Sequence, residues 1–304
     1  MNTNLVWQKS VFSPPNDEKI AQTLPMALME IVKQSPDSVA VITPEKTYSF
    51  GDLMSRVAGL SDEINAYSHN NGPIALVQKN GLDAIAAWFA CSLSGKTFIV
   101  LEPDHPPLRL MELIKASGCS LVLVDEFSSS IFKDFPEINL LISDGRLGTK
   151  QQVKGLNVED PAMIFPTSGS TGKPKLITYA STTIQVKVQS SIQQMLVPKG
   201  AKVLIAGSHS NYGFLHHALV FLLSGGAVCL ADVKTFGFDA ILNSIKNQGV
   251  RHVRFTPSLF RKLAILPQSQ NTLMLLDGVR FSGEPLLQSD LKLAQSVLKS
   301  DCLI

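Results

Sequence analysis

The chain has 304 residues, 45% of them hydrophobic and 17% charged, which is enough to bury a large core and excludes a disordered or collagen-like chain. Lys and Arg number 27 against 25 for Asp and Glu, a net charge of +2, and no run of clustered Lys or Arg occurs. That balance gives no reason to expect nucleic acid or an anionic membrane as a partner.

The N-terminal stretch MNTNLVWQKSVFSPPNDEK has no basic region followed by a long apolar run, so no signal peptide is expected. LPMALMEIVKQSP (24–36) sets Leu28, Ile31 and Val32 at helical spacing and stops at Pro36. VAVI (39–42) and TYSF (47–50) read as strands joined by a turn at TPEK. Ser49 or Gly51 can open the next helix, whose apolar face carries Leu53, Val57, Leu60 and Ile64. A strand at IALV (74–77), a helix over 82–94, a strand at TFIVL (97–101), a helix after Pro107 and a strand at SLVLVD (120–125) follow. The longest apolar stretch, 84–93, is shorter than the roughly 20 residues a bilayer requires. Strands separated by helices of this length imply right-handed crossovers and a mainly parallel sheet.

Residues 127–160 read as a surface connection with one strand over 138–143. The alternation then resumes with strands at AMIF (162–165), KVLIAG (202–207), AVCLAD (227–232), HVRFT (252–256) and VRFSG (279–283), with helices between. The expectation is an α/β fold of two parallel-sheet lobes, 1–150 and 151–304. Cys91, Cys119, Cys229 and Cys302 are far apart in sequence, none in C-x-x-C spacing. They read as buried thiols in a reducing compartment, with the cytoplasm as the expected location.

The strongest motif is PTSGSTGKPK (166–175), which leaves the strand 162–165 at its C-terminal end, where ligands of open α/β sheets bind. Gly169 and Gly172 let backbone N–H groups converge on an anion. Thr167, Ser168, Ser170 and Thr171 add hydroxyl donors, and Lys173 and Lys175 add positive charge. Those parts make a phosphate cradle. It is not the G-x-x-x-x-G-K-[ST] loop, because the two glycines are too close and Lys173 precedes Pro174. A flexible, soluble Ser/Gly linker is the plainer alternative.

TSGSTGKPK closely resembles the signature loop of the adenylate-forming (AMP-binding) superfamily, which includes acyl-CoA synthetases, adenylation domains of nonribosomal peptide synthetases, and luciferases. YSFGDL (48–53) and 94–125, with Pro103, Pro106, Arg109 and Leu110 at the matching positions, resemble further family segments. So do LLSGGAVCLAD (222–232) and FSGEPL (281–286). The resemblance spans 24–304 and is nearer to peptide-synthetase adenylation domains than to CoA ligases.

It implies ATP-dependent activation of a carboxylic acid as an acyl-adenylate. Lys173 would be the catalytic residue holding the leaving pyrophosphate, within a nucleotide site of Thr167, Ser168, Gly169, Ser170, Thr171, Gly172 and Lys175. Gly283, Glu284 and Pro285 would approach the adenine. Tyr212, Gly213, His216, Phe255 and Ser282 would line the acid pocket. Tyr212 takes the place where members specific for α-amino acids carry Asp, which favours an aryl or acyl acid. Arg280 is open between pairing with a substrate anion and lying on the surface. His209, His216 and His217 lack the spacing of a zinc helix, and no metal is assigned to them.

Three departures qualify the likeness. Leu176 and Ser181 stand where the family has Gly and His, and Ser282 replaces the first Gly of a Gly-Gly turn. The family's glutamate for Mg²⁺, its ribose aspartate and its C-terminal domain with a catalytic lysine would all lie beyond residue 304. A truncated adenylating enzyme is therefore the expectation. A nucleotide-binding remnant without chemistry, or one half of a split enzyme, stays open beside it. So does the thiol acceptor, coenzyme A or a carrier-protein phosphopantetheine.

Overall fold

The structure is a computed structural model that describes residues 22–67, 72–149, 157–167, 175–195, 197–207, 210–231 and 233–304. In chain order the first elements are α1 (Leu24–Gln34), β1 (Val39–Ile42), β2 (Thr47–Ser49), α2 (Phe50–Tyr67), β3 (Ile74–Val77), α3 (Leu82–Leu93), β4 (Phe98–Val100), α4 (Pro107–Ala116) and β5 (Leu121–Val124). There follow a short α5 (Glu126–Ser129), β6 (Leu140–Ile142), β7 (Pro161–Thr167), β8 (Lys175–Ala180), α6 (Ser181–Met195), β9 (Lys202–Ile205), α7 (Tyr212–Leu222) and β10 (Ala227–Leu230). The last are α8 (Val233–Asn247), β11 (His252–Phe255), α9 (Pro257–Ala264), a short α10 (Gln270–Leu273), β12 (Gly278–Phe281) and α11 (Gln288–Val297).

The strands form two six-stranded sheets, β6-β5-β3-β4-β7-β8 and β12-β11-β9-β10-β1-β2. Eight neighbouring pairs run parallel, β1–β10, β10–β9, β9–β11, β11–β12, β3–β4, β3–β5, β4–β7 and β5–β6, and β7–β8 is antiparallel. The α/β class with two parallel-dominated sheets therefore holds. Burial on both faces explains the unbroken apolar runs, since crossover helices cover both sides of such a sheet. Every residue of β3, β4, β5 and β10 is buried.

The chain divides into two units, one of residues 22–37 and 48–190, the other of 38–47 and 191–304. The boundary expected at 150 lies instead near Ser190. The reason is pairing: β7 adds to β4 in the first sheet, while β1 leaves its sequence neighbours to pair with β10. Each unit has its own core, one around Val77, Ile99, Leu110, Val124 and Ile164, the other around Leu204, Ile245, Val253, Phe260 and Leu273.

Local signals place the helices as read. Ser49 opens α2: its Oγ accepts from Asp52 N at 3.1 Å, and the Asp52 carboxylate accepts from Ser49 N at 2.8 Å. Leu53, Val57, Leu60 and Ile64 are wholly buried. Among the described residues no helix is long and apolar enough to cross a membrane. The cysteines are free; burial pushes the Cys119 and Cys229 thiols up to about 11, which keeps them protonated and unreactive.

The segment after β6 is more than a surface connection. Gly148 N donates to Ser55 O at 2.9 Å, and a Cβ on Gly148 would lie 2.6 Å from Gly59 N. A Cβ on Gly59 would in turn overlap the Arg146 carbonyl. Alanine normally gains about 1 kcal/mol over glycine inside a helix. Here the overlap decides the sign, and Gly59→Ala should destabilise by about 1–3 kcal/mol, as overpacking does. Urea unfolding checks this, and a more stable variant would contradict it.

Candidate functional site

The glycine-rich motif joins two paired strands. Thr167 at the end of β7 stands opposite Lys175 at the start of β8, so the two ends of the motif are held side by side. Ser168, Gly169, Ser170, Thr171, Gly172 and Lys173 lie outside the described residues. Beyond the motif, the Tyr179 ring packs edge-on against Phe165 at 5.7 Å and carries the Lys187 ammonium at 4.8 Å.

The second unit supplies the other predicted residues. Gly283 follows β12 with φ +88°, a left-handed conformation that a side chain would strain. Glu284 pins this turn: its carboxylate accepts from Ser258 Oγ at 2.6 Å and from Ser258 N at 3.0 Å, at the start of α9. The Ser258 hydroxyl, its N–H and the charge of Arg261 hold the Glu284 carboxyl below its usual range against desolvation. The Glu284 side chain is thus committed to the turn, leaving the exposed backbone of 283–285 as the available surface.

The start of α7 brings Tyr212, Gly213 and His216 together. Asn211 caps the helix by accepting from Gly213 N at 2.8 Å. The Tyr212 and His216 rings stack with centroids 5.6 Å apart, and His216 Nε2 lies 3.0 Å from Ser191 Oγ.

Two differences from the expected pocket occur here. Phe255 is fully buried in the apolar core, with its ring 5.6 Å from Phe260, so it is not a pocket residue. Alternation along β11 puts its neighbour Arg254 on the opposite face. A Cβ on Gly213 would lie 2.9 Å from the Arg254 guanidinium, and Arg254 Nε donates to Ser282 Oγ at 2.6 Å. Arg254 therefore joins Gly213 to Ser282, a role that sequence reasoning misses. An Arg inside a strand covered on both faces is the available signal.

Arg280 stands in register with Arg254 on β12. Burial lowers the Arg254 pKa, and the positive charge of Arg280 lowers it further. His217, 2% exposed, has no hydrogen-bond partner for either ring nitrogen among the described residues. Burial first, then the charges of Arg254, Arg280, His216 and His252, push its pKa well below the ordinary 6.5.

A depressed histidine pKa contributes stability that is present above the unfolded value and lost as pH falls below it. Unfolding free energy should therefore begin to fall below about pH 6.5, before carboxylates titrate near pH 4. His217→Phe should flatten that part of the curve; an unchanged slope would contradict the assignment. Among the described residues no group of three or more His, Cys, Asp or Glu could hold a metal.

The family model described as AMP-binding enzyme matches residues 28–302. The chain belongs to the AMP-binding enzyme family. Among its relatives is the nonribosomal peptide synthetase flvI of Aspergillus flavus, 25% identical over 283 residues that cover 90% of this chain and 26% of that protein. The chain thus spans about a quarter of that relative's length. Two solved structures share the AMP-binding fold. The nonribosomal peptide synthetase FmoA3, also solved with AMPPNP bound, superposes with a TM-score of 0.85 at 16% identity, over 95% of this chain and 31% of that one. VinN, solved with L-aspartate, has a TM-score of 0.81 at 22% identity, over 91% and 73% of the two chains.

Proposed function

We propose that this chain takes part in ATP-dependent activation of a carboxylic acid as an acyl-adenylate. The observation that carries the reading is the family match across 28–302, which includes the TSGSTGKPK motif. In the reaction a carboxylate oxygen attacks the α-phosphorus of ATP, the bond to the bridging oxygen breaks, and pyrophosphate leaves. Charge builds on the departing oxygens, so the catalyst needs cations and N–H donors and no protein nucleophile.

Lys173 is assigned to the leaving pyrophosphate, with the hydroxyls and N–H groups of 167–172 and Lys175 beside it. The backbone of Gly283, Glu284 and Pro285 is assigned to the adenine. Tyr212, Gly213, His216 and Ser282 are assigned to the acid.

The acid is assigned to a class without an α-ammonium group. Tyr212 opens α7, and the segment 207–226 contains no Asp or Glu to pair with a buried ammonium. The relatives named as nonribosomal peptide synthetases favour a carrier-protein phosphopantetheine over coenzyme A as the later acyl acceptor.

Hydroxylamine trapping tests the reading. An acyl-adenylate yields a hydroxamate and AMP when hydroxylamine attacks its carbonyl. Hydroxamate formation that requires both ATP and an acid supports activation. Its absence across aryl, acyl and amino acids, in the protein that carries these residues, would refute it.

A further inference from the structure

Where a guanidinium is partly or wholly buried elsewhere in the chain, a carboxylate or carbonyl meets it. Arg56 holds Glu63 and Asp83, Arg261 holds Asp290, and Arg251 donates to the Ile245 and Val250 carbonyls. Arg254 and Arg280 break that pattern. They stand side by side on β11 and β12, and neither makes an ion pair with any carboxylate among the described residues. Arg254 gives only its Nε to Ser282 and is half-buried against Gly213, while Arg280 opens to solvent. Two like charges in neighbouring register positions repel each other, and an anion bound between them relieves that repulsion.

We infer that the acid activated by this chain is a dicarboxylic acid whose second carboxylate is held by Arg254 and Arg280; the inference rests on the acid-activation reading above. The remaining N–H groups of two planar guanidinium forks suit a carboxylate, which can accept from both. A carboxylate clamped this way is a poor nucleophile, so the pair serves the end of the acid that does not react. The same positive field disfavours an ammonium near Tyr212, in keeping with the absence of a carboxylate from 207–226.

The test is calorimetric titration of the full chain with matched pairs, hexanoate against adipate and benzoate against isophthalate, with ATP titrated separately on the unmodified protein. At least one diacid should bind about tenfold to a hundredfold more tightly than its monoacid, the span expected for hydrogen bonds to a charged group. Arg254→Gln and Arg280→Gln should each reduce that preference. Equal affinities within both pairs, or an undiminished preference in both variants, overturn the inference. The matched pairs on the unmodified protein decide the question even if a variant fails to fold. A diacid preference without ATP binding would keep the anion site and remove the adenylation reading. ATP binding without a diacid preference would do the reverse.

Discussion

Arg56→Met should lower the stability of the β3–β8 unit by about 3–5 kcal/mol, the usual cost of leaving a buried charge without its partner. Arg56 sits on α2 with 2% of its surface exposed and is the hub of a polar cluster. Its fork meets Asp83 at 2.7 and 3.1 Å, and Nη1 donates to Glu63 at 3.0 Å and to the Arg146 carbonyl at 2.6 Å. Ser143 Oγ accepts from Nη2 and donates to Asp83 at 3.0 Å. The residues over 143–146 are thereby tied to α2.

Burial alone would lower the Arg56 pKa, but Asp83 and then Glu63 more than offset it. Glu63 shows the opposite balance: burial pushes its carboxyl up by more than Arg56 pulls it down. With Arg56 gone, Glu63 rises further and takes a proton in the folded state. A raised carboxyl pKa gives stability that is present below the unfolded value and lost as pH rises through the folded one. Arg56→Met should therefore cost less at pH 5 than at pH 8. Urea unfolding at the two pH values checks both the size and the sign. A loss under about 1 kcal/mol, the range of a surface ion pair, would contradict the buried cluster.

Lys173→Ala should slow acid activation by about tenfold to a hundredfold, the rate equivalent of losing one hydrogen bond to a charged group. The reason is chemical. In the proposed reaction pyrophosphate is the leaving group, and Lys173 is the one of the motif's two lysines that this reading assigns to it. The effect should fall mainly on kcat with the fold intact by circular dichroism, because charge on the leaving group is largest in the transition state. An unchanged rate would return the motif to the status of a linker.

Most strands are legible because a parallel strand covered on both faces must be apolar throughout. IALV, TFIVL and SLVLVD are runs of that kind, and they form β3, β4 and β5. KLITYA carries no such signal. It forms β8, an edge strand with three of its six residues exposed, and its pairing depends on β7 folding back across the glycine-rich motif. Edge strands lack the continuous burial that marks a central one.

The unit boundary is hidden for a similar reason. Nothing within VAVI says that β1 will pair with β10, a strand far along the chain. The candidate site is named from motifs at 166–175 and 281–285, and the structure describes the second of these and the two ends of the first. Arg254 escapes the sequence because alternation in HVRF ties its direction to that of Phe255, and an expectation that points Phe255 into the pocket turns Arg254 away from it. Arg56 escapes because a charged residue on an amphipathic helix ordinarily faces water; its burial depends on Asp83 and on residues 143–146, which the helix alone does not contain.

Acid-dependent exchange of labelled pyrophosphate into ATP tests the central claim most directly, because it reads the reversal of the adenylation step itself. The protein that carries these 304 residues should incorporate label only when a carboxylic acid is present, with a dicarboxylic acid giving the highest rate. Absence of exchange with every acid, or ATP turnover indifferent to the acid, would contradict acid activation by this chain.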